Sequence, residues 1–127
     1  MKAILCVDDE KIVLDSLLNQ LMDAFGDEYI YEVAESVDEA WEVIEYMNDQ
    51  GISMVLVITD WLMPNVKGDK FLVDLHQRFP NTTKIMLTGQ AEENSVKNAF
   101  SNANLYAFIK KPWDSNELIQ KIAYALA

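Results

Sequence analysis

The sequence predicts an α/β protein built on one parallel sheet with helices on both of its faces. Three observations support this fold class. Five short apolar segments are strand-sized, helical stripes of 10–15 residues separate them, and the two kinds of segment alternate along the whole chain. Such alternation implies right-handed crossovers between parallel strands. A length of 127 residues fits one domain, so we assign residues 1–127 to a single unit.

The strands are predicted from nearly continuous apolar runs, which suit strands that are buried on both faces. Acidic residues follow two of these runs directly, Asp8 after the first and Asp60 after the third. The five predicted strands cover residues 2–7, 29–34, 54–59, 84–88 and 105–109.

The helices are predicted from apolar stripes at helical spacing and from their start and stop signals. The first runs from Lys11 to Phe25 and is stopped by Gly26. Capping boxes, Ser36 with Glu39 and Asp114 with Glu117, begin the second and the last helix. The third ends at Pro80, and the fourth covers residues 91–101 with a thin apolar side.

Composition excludes several classes of protein. The net charge of −11 is uneven: residues 1–60 hold fifteen acids and two bases, net −13, and residues 61–127 hold six acids and eight bases, net +2. An acidic chain repels phosphate backbones, so we expect no direct nucleic-acid binding. No apolar run is long enough to span a membrane, and no secretion signal is seen, so we expect a cytoplasmic location without membrane contact. A single cysteine, Cys6, excludes an internal disulfide and a cysteine-rich zinc site, and a single histidine, His76, excludes a multi-histidine metal site.

Polar residues at the strand ends are the candidates for a functional site, because ligands of such sheets bind beyond the carboxyl ends of the strands. If the first and third strands are neighbours, Asp8, Asp9 and Asp60 converge, and a hard cation such as Mg²⁺ would relieve their repulsion. Thr88 and Lys111 follow the last two strands and suit a phosphoryl group.

Asp60 could then act as a nucleophile and form an acyl phosphate. Simpler roles remain open for single residues: Asp9 as a helix N-cap, Thr88 as a strand residue and Lys111 as a surface charge.

Four motifs in this order resemble the receiver domain of bacterial two-component response regulators. They are Val7-Asp8-Asp9-Glu10, Thr59-Asp60-Trp61-Leu62-Met63-Pro64 with Gly68, Leu87-Thr88-Gly89, and Lys111-Pro112-Trp113. The resemblance covers the whole chain and implies a flavodoxin-like sheet of strand order 2-1-3-4-5.

The resemblance also implies a role for each matching residue. Asp60 is expected to be the phosphoacceptor, and Asp8 and Asp9 the acidic pair that holds Mg²⁺, or alternatively Mn²⁺, together with Asp60 and the main-chain carbonyl of Leu62. Thr88 is expected to be the switch hydroxyl, Lys111 the lysine that pairs with a phosphoryl oxygen, and Phe108 the aromatic switch residue. Lys110 is the neighbouring candidate for the lysine role.

The partners implied are a sensor histidine kinase or a histidine phosphotransfer protein as donor, and an output domain or target protein that contacts residues 91–126. The resemblance leaves open a homodimer that forms on phosphorylation. It implies a signalling domain that assists its own phosphotransfer and dephosphorylation rather than an enzyme with a separate substrate. Whether this receiver acts alone or within a longer protein stays open.

Two residues depart from the family pattern. Lys110 is basic where the last strand is usually apolar, and Phe108 lacks a tyrosine hydroxyl.

Two other functions are alternatives. A haloacid-dehalogenase-like phosphatase would also use an aspartyl phosphate, but it places its two acids as Asp-x-Asp after the first strand. A flavodoxin-like electron carrier would need a loop rich in Ser, Thr and Gly there, whereas this chain has Asp8-Asp9-Glu10.

Overall fold

The computed structural model describes residues 1–90 and 92–127 as five strands that alternate with five helices. The strands are β1 Lys2–Val7, β2 Ile30–Ala34, β3 Ser53–Thr59, β4 Thr83–Thr88 and β5 Ala107–Lys110. The helices are α1 Lys11–Phe25, α2 Val37–Asp49, α3 Gly68–Arg78, α4 Glu93–Asn102 and α5 Ser115–Leu126, with a short 3₁₀ turn at Gly26–Glu28.

All strand pairs are parallel, and their order is β2-β1-β3-β4-β5. This order confirms the predicted flavodoxin-like fold. Among the described residues, no helix is long and apolar enough to cross a membrane.

Alternate residues of the central strands pack into two separate apolar cores. Ile4 and Cys6 of β1 face one core, in which α1 and α5 bury leucine and isoleucine side chains. Leu5 and Val7 face the other core, which α2, α3 and α4 cover. Both faces of the sheet are therefore removed from water, as the continuous apolar runs predicted.

The predicted caps of the second and the last helix are confirmed, with one change of hydrogen-bond partner. The Ser36 hydroxyl accepts a hydrogen bond of 3.1 Å from the amide of Glu39. Asp114 also caps its helix, but its carboxylate accepts from the amide of Asn116, at 2.9 Å, rather than from that of Glu117. Caps of this kind satisfy amides that have no partner within the helix.

The predicted bounds of the fifth strand and the fourth helix were wrong by one or two residues. The strand was expected at 105–109 but covers Ala107–Lys110, because the Leu105 amide instead donates to the Ala99 carbonyl and closes the end of α4. The helix was expected at 91–101 and begins at Glu93; Ala91 lies outside the described residues. The starts of β2, β3 and β4 each differ from the prediction by one residue.

Candidate functional site

The sheet register places Asp8 and Asp60 side by side. Val7 at the end of β1 pairs with Thr59 at the end of β3. The Asp60 amide continues this pairing with a 3.0 Å hydrogen bond to the carbonyl of Val7. Both acidic side chains are buried, with Asp8 2% and Asp60 5% exposed. Two carboxylates in such a position require a cation or a proton nearby.

Four carboxylates meet at this edge of the sheet. Carboxylate oxygens of Asp8, Asp9, Glu10 and Asp60 all lie within 4.8 Å of one another. Asp9 and Glu10 are exposed, which leaves the cluster open to solvent on one side. Hard divalent cations prefer oxygen ligands of this kind, so the residues present fit a metal ion. Sequence reasoning had not assigned a role to Glu10, although it stands in the same motif.

The alternative role of Asp9 as a helix cap is not what the structure shows. Glu10 occupies the position before α1, with an extended backbone and no side-chain capping bond. The Glu10 amide instead donates to Oδ1 of Asp8, at 2.9 Å. This bond fixes the orientation of the buried carboxylate and leaves its other oxygen for Lys111.

Lys111 is the cation that faces the buried acids. Its Nζ lies 2.7 Å from Oδ2 of Asp8 and 3.1 Å from Oδ2 of Asp60. The side chain is only 15% exposed, so Lys111 is not a free surface charge. Its own amide donates to the carbonyl of Thr88, which ties the lysine to the end of β4. The neighbouring Lys110 side chain is exposed, which supports Lys111 as the candidate.

Burial and the ion pair act in opposite directions on the pKa values of Asp8 and Lys111. Burial raises the pKa of Asp8 above its ordinary value, and the hydrogen bond from Lys111 opposes that rise without cancelling it. Burial alone would lower the pKa of Lys111, but its hydrogen bonds to Asp8 and Asp60 outweigh this, and the pKa of the lysine is raised. Lys111 is therefore fully charged at neutral pH.

The loop after β3 is held against Asp60. The Leu62 amide donates to Oδ1 of Asp60, at 3.3 Å, while the Leu62 side chain is 43% exposed. Gly68, the first residue of α3, donates its amide to the Trp61 carbonyl at 2.9 Å. The phosphoacceptor candidate thus sits in a loop whose two ends, β3 and α3, are in close contact.

The predicted switch residues lie on the β4 and β5 side of the site. Thr88 is buried, and its hydroxyl donates to the Gln90 carbonyl at 3.0 Å and accepts from the Gln90 amide at 3.2 Å. Its proton is therefore held by its own loop, just before α4. Phe108 is half-buried and packs against the core cluster that contains Ala99 and Leu105.

One polar contact at the site was missed by sequence reasoning. The carboxylate of Asp69 accepts from the indole Nε1 of Trp61 at 3.0 Å and from the side-chain amide of Asn98 at 2.9 Å. Asp69 and Asn98 are 29 positions apart, so no local pattern indicates that they meet.

Comparison with known proteins agrees with this geometry. The family profile described as "Response regulator receiver domain" matches residues 4–123, so the chain belongs to the response regulator receiver domain family. The chain is therefore a receiver domain of two-component signalling, a signalling module rather than an enzyme of the ordinary kind. The phosphatase alternative is not favoured, because the family profile that matches describes a receiver domain.

Three similar proteins illustrate the range of the family. The hydrogenase transcriptional regulatory protein HoxA of Cupriavidus necator is 28% identical over 123 residues, which are 97% of this chain but 24% of that protein. A CheY-like response regulator receiver domain protein from Methanospirillum hungatei is 31% identical, with a TM-score of 0.85 and coverage of 99% of this chain and 94% of that one. The beryllofluoride-activated NtrC4 receiver domain dimer is 25% identical, with a TM-score of 0.82 and coverage of 98% and 96%. The chain thus spans about a quarter of the length of the curated relative HoxA.

Proposed function

We propose that Asp60 accepts a phosphoryl group and that residues 1–127 act as one phosphorylation-controlled receiver. The observation that carries the proposal is the position of Lys111, whose Nζ lies 3.1 Å from Oδ2 of Asp60 inside a cluster of four acids. An ammonium at that place can neutralise the charge that a phosphoryl oxygen brings to the aspartate.

The transfer consists of one bond formed and one bond broken. An Oδ atom of Asp60 attacks the phosphorus of the donor, and the bond from phosphorus to the donor's nitrogen or oxygen breaks. The donor keeps that electron pair, and Asp60 becomes an acyl phosphate. Lys111 pairs with a phosphoryl oxygen in the product, and the Leu62 amide, now 3.3 Å from Oδ1, remains near the same group.

The acidic cluster supports a metal site. We assign Asp8, Asp9, Asp60 and the main-chain carbonyl of Leu62 as ligands of Mg²⁺, with Mn²⁺ as an alternative, and Glu10 as the exposed acid beside them. The metal would supply positive charge to the phosphoryl oxygens.

The expected donor is a sensor histidine kinase or a histidine phosphotransfer protein, as membership of the family suggests. The expected output surface is residues 92–126 of the predicted 91–126 face. It exposes three large apolar side chains, Phe100, Tyr106 and Tyr124, which a partner or a second copy of the chain could cover. The activated dimer among the similar structures supports dimerisation on phosphorylation as one form of this output. The receiver would also assist its own dephosphorylation by water.

The test is intact-mass measurement after incubation with acetyl phosphate. We expect the mass of one phosphoryl group to be added in the presence of Mg²⁺, and no addition when EDTA is present. Asp60→Asn is the matched variant, because it keeps the shape of the side chain and removes the nucleophile. Equal and lasting phosphorylation of the parent protein and of Asp60→Asn would refute the assignment of Asp60.

A further inference from the structure

The side chain of Asp69 joins the loop that carries Asp60 to helix α4. One carboxylate oxygen accepts from Nε1 of Trp61, the residue after Asp60, at 3.0 Å. The other oxygen accepts from Nδ2 of Asn98 on α4, at 2.9 Å. Asp69 itself is in the first turn of α3, directly after Gly68.

The chemistry of these groups fixes the direction of each hydrogen bond in the series from Asn102 through Asn98 to Asp69. A carboxylate only accepts, so Asn98 must turn its amide nitrogen toward Asp69. Its amide oxygen then faces away and accepts from Nδ2 of Asn102, at 2.7 Å. Trp61 and Asn98 thus both donate to one charged acceptor, the Asp69 carboxylate, and hydrogen bonds to a charged group are the stronger kind.

Nearby cations do not take Asp69 away from these partners. The ammonium of Lys70 is paired with Asp74 at 2.8 Å. The ammonium of Lys67 lies over the Trp61 ring, 5.1 Å from its centre. Asp69 and Asn98 are also half-buried, so water competes less for this bond than it does at an exposed ion pair.

Helix α4 has little else to hold it in place. Of its ten described residues only Ala99 is buried, and its N-cap residue Glu92 makes no side-chain capping bond. The segment directly before it holds the Thr88 hydroxyl through Gln90. Helix α3, in contrast, buries Phe71, Leu72 and Leu75 and begins against the backbone of Asp60. Within residues 68–90 and 92–102, which the structure describes, one side-chain hydrogen bond, Asp69–Asn98, therefore ties a helix with little buried surface to a well-packed one.

We propose that the Asp69–Asn98 hydrogen bond is a tether that holds α4 in its unphosphorylated position, so that it sets how readily the receiver switches. This proposal rests on the proposed function. When Thr88 leaves Gln90 for a phosphoryl group, the start of α4 is released, and the tether opposes its displacement. Breaking the tether makes the switched state easier to reach, and by linkage a ligand that favours that state binds more tightly.

The test measures the affinity of beryllofluoride, a phosphoryl mimic, for the whole chain at saturating Mg²⁺. Asn98→Ala removes the donor and raises the helix propensity of α4, so any loosening of the helix cannot come from a weaker helix. We expect its affinity for beryllofluoride to rise by about tenfold, the size of one hydrogen bond to a charged group. Asn98→Asp, which sets a second carboxylate against Asp69, should shift the affinity in the same direction by more.

Asn102→Ala is the matched control. It makes the same change of residue type on the same helix and leaves the Asp69–Asn98 bond in place. We expect its affinity for beryllofluoride to stay within about twofold of the parent value, since this exposed hydrogen bond contributes little. Amide exchange of residues 93–102 without ligand should be faster in Asn98→Ala and unchanged in Asn102→Ala.

The outcomes separate the two proposals. Equal or weaker beryllofluoride affinity in Asn98→Ala would overturn the tether, while leaving the receiver function standing. A parent protein that binds no beryllofluoride with Mg²⁺ would overturn the proposed function, and the tether with it.

Discussion

No side chain can be added at Gly68 without overlapping the main-chain carbonyl oxygen of Asp60. A β-carbon built there would also press against the backbone of Trp61. The contact involves backbone atoms on both sides, so neither can move aside without displacing the β3–α3 loop. Glycine at the start of α3 therefore lets the helix approach the phosphoacceptor candidate closely.

The first prediction concerns this contact. Gly68→Ala should lower the free energy of unfolding by about 1–3 kcal/mol, because the overlap forces a backbone shift. It should also slow phosphorylation by acetyl phosphate, since Asp60 moves relative to Lys111. Urea unfolding and intact-mass time courses measure the two effects.

Gly89→Ala is the control for stability. A β-carbon there meets only Cβ of Lys111, at 3.8 Å, which is ordinary van der Waals contact. We expect its free energy of unfolding to stay within about 0.5 kcal/mol of the parent value. If both variants unfold at the same urea concentration, the close approach of Gly68 to Asp60 does not limit stability.

The second prediction concerns Mg²⁺ and the buried Asp8. At neutral pH, Mg²⁺ should raise the melting temperature of the parent protein, because it binds the folded state only. At a Mg²⁺ concentration of 100 times the Kd, binding adds about 2.7 kcal/mol to the free energy of unfolding. Asp8→Asn should lose this response. Without metal, the variant should be more stable than the parent, since an uncharged amide replaces a charge that burial disfavours.

The sign of the pH dependence follows from the raised pKa of Asp8. The pKa of Asp8 in the folded state lies above the ordinary value of 3.8, so the folded state holds the carboxyl proton more tightly than the unfolded state does. The contribution of Asp8 to stability is therefore present at low pH and is lost as the pH rises through the folded-state pKa. The advantage of Asp8→Asn in metal-free buffer should grow from pH 4 to neutral pH. A constant difference in melting temperature over that range would contradict it.

The third prediction separates phosphorylation from switching. Thr88→Ala should still gain one phosphoryl group, because Lys111 and the acids remain. The variant lacks the hydroxyl that leaves Gln90, so the amide-exchange response of residues 93–126 to phosphorylation should disappear. An equal response in the parent and the variant would show that Thr88 does not transmit the signal.

The fourth prediction concerns the lifetime of the acyl phosphate. Leu62 lies two residues after Asp60 and offers no hydrogen bond to an attacking water, and Gln90 lies two residues after Thr88. We predict that Leu62→Asn loses its phosphoryl group faster, by several-fold, because an amide can orient water. Phosphate-release time courses compare the two proteins. Leu62→Ala serves as control, since it opens space without adding a polar group. An unchanged or slower rate in Leu62→Asn would mean that the side chain at position 62, which is 43% exposed as leucine, points away from the phosphoryl group.

Most of the fold was predictable because its signals are local. Asp8 and Asp60 end apolar runs, and parallel strands bring those ends to one edge of the sheet. Ser36 and Gly26 stand where helix starts and stops require them. The family motifs then supplied the strand order, which the apolar pattern alone could not give.

One contact that could not be predicted joins residues far apart in sequence. The carboxylate of Asp69 meets Asn98 only because α3 and α4 pack side by side. Lys84 shows a second limit, because its partners are only two and eight positions away and were still not predicted. It lies within a strand and is 1% exposed, and its ammonium is satisfied by the Thr82 carbonyl at 2.7 Å and by Nδ1 of His76 at 3.0 Å. Burial lowers the pKa of Lys84. The sequence around a lysine does not show which groups its ammonium will contact in the folded protein.

The most direct test of the account is to locate the phosphoryl group chemically. Reduction with borohydride converts an aspartyl phosphate to homoserine, whereas a free carboxylate does not react. After treatment with acetyl phosphate and Mg²⁺, peptide mass spectrometry should find homoserine in place of Asp60, and Asp8 and Asp9 unchanged. Homoserine at Asp8 or Asp9, or none at Asp60 in a protein that has gained a phosphoryl mass, would contradict the central claim.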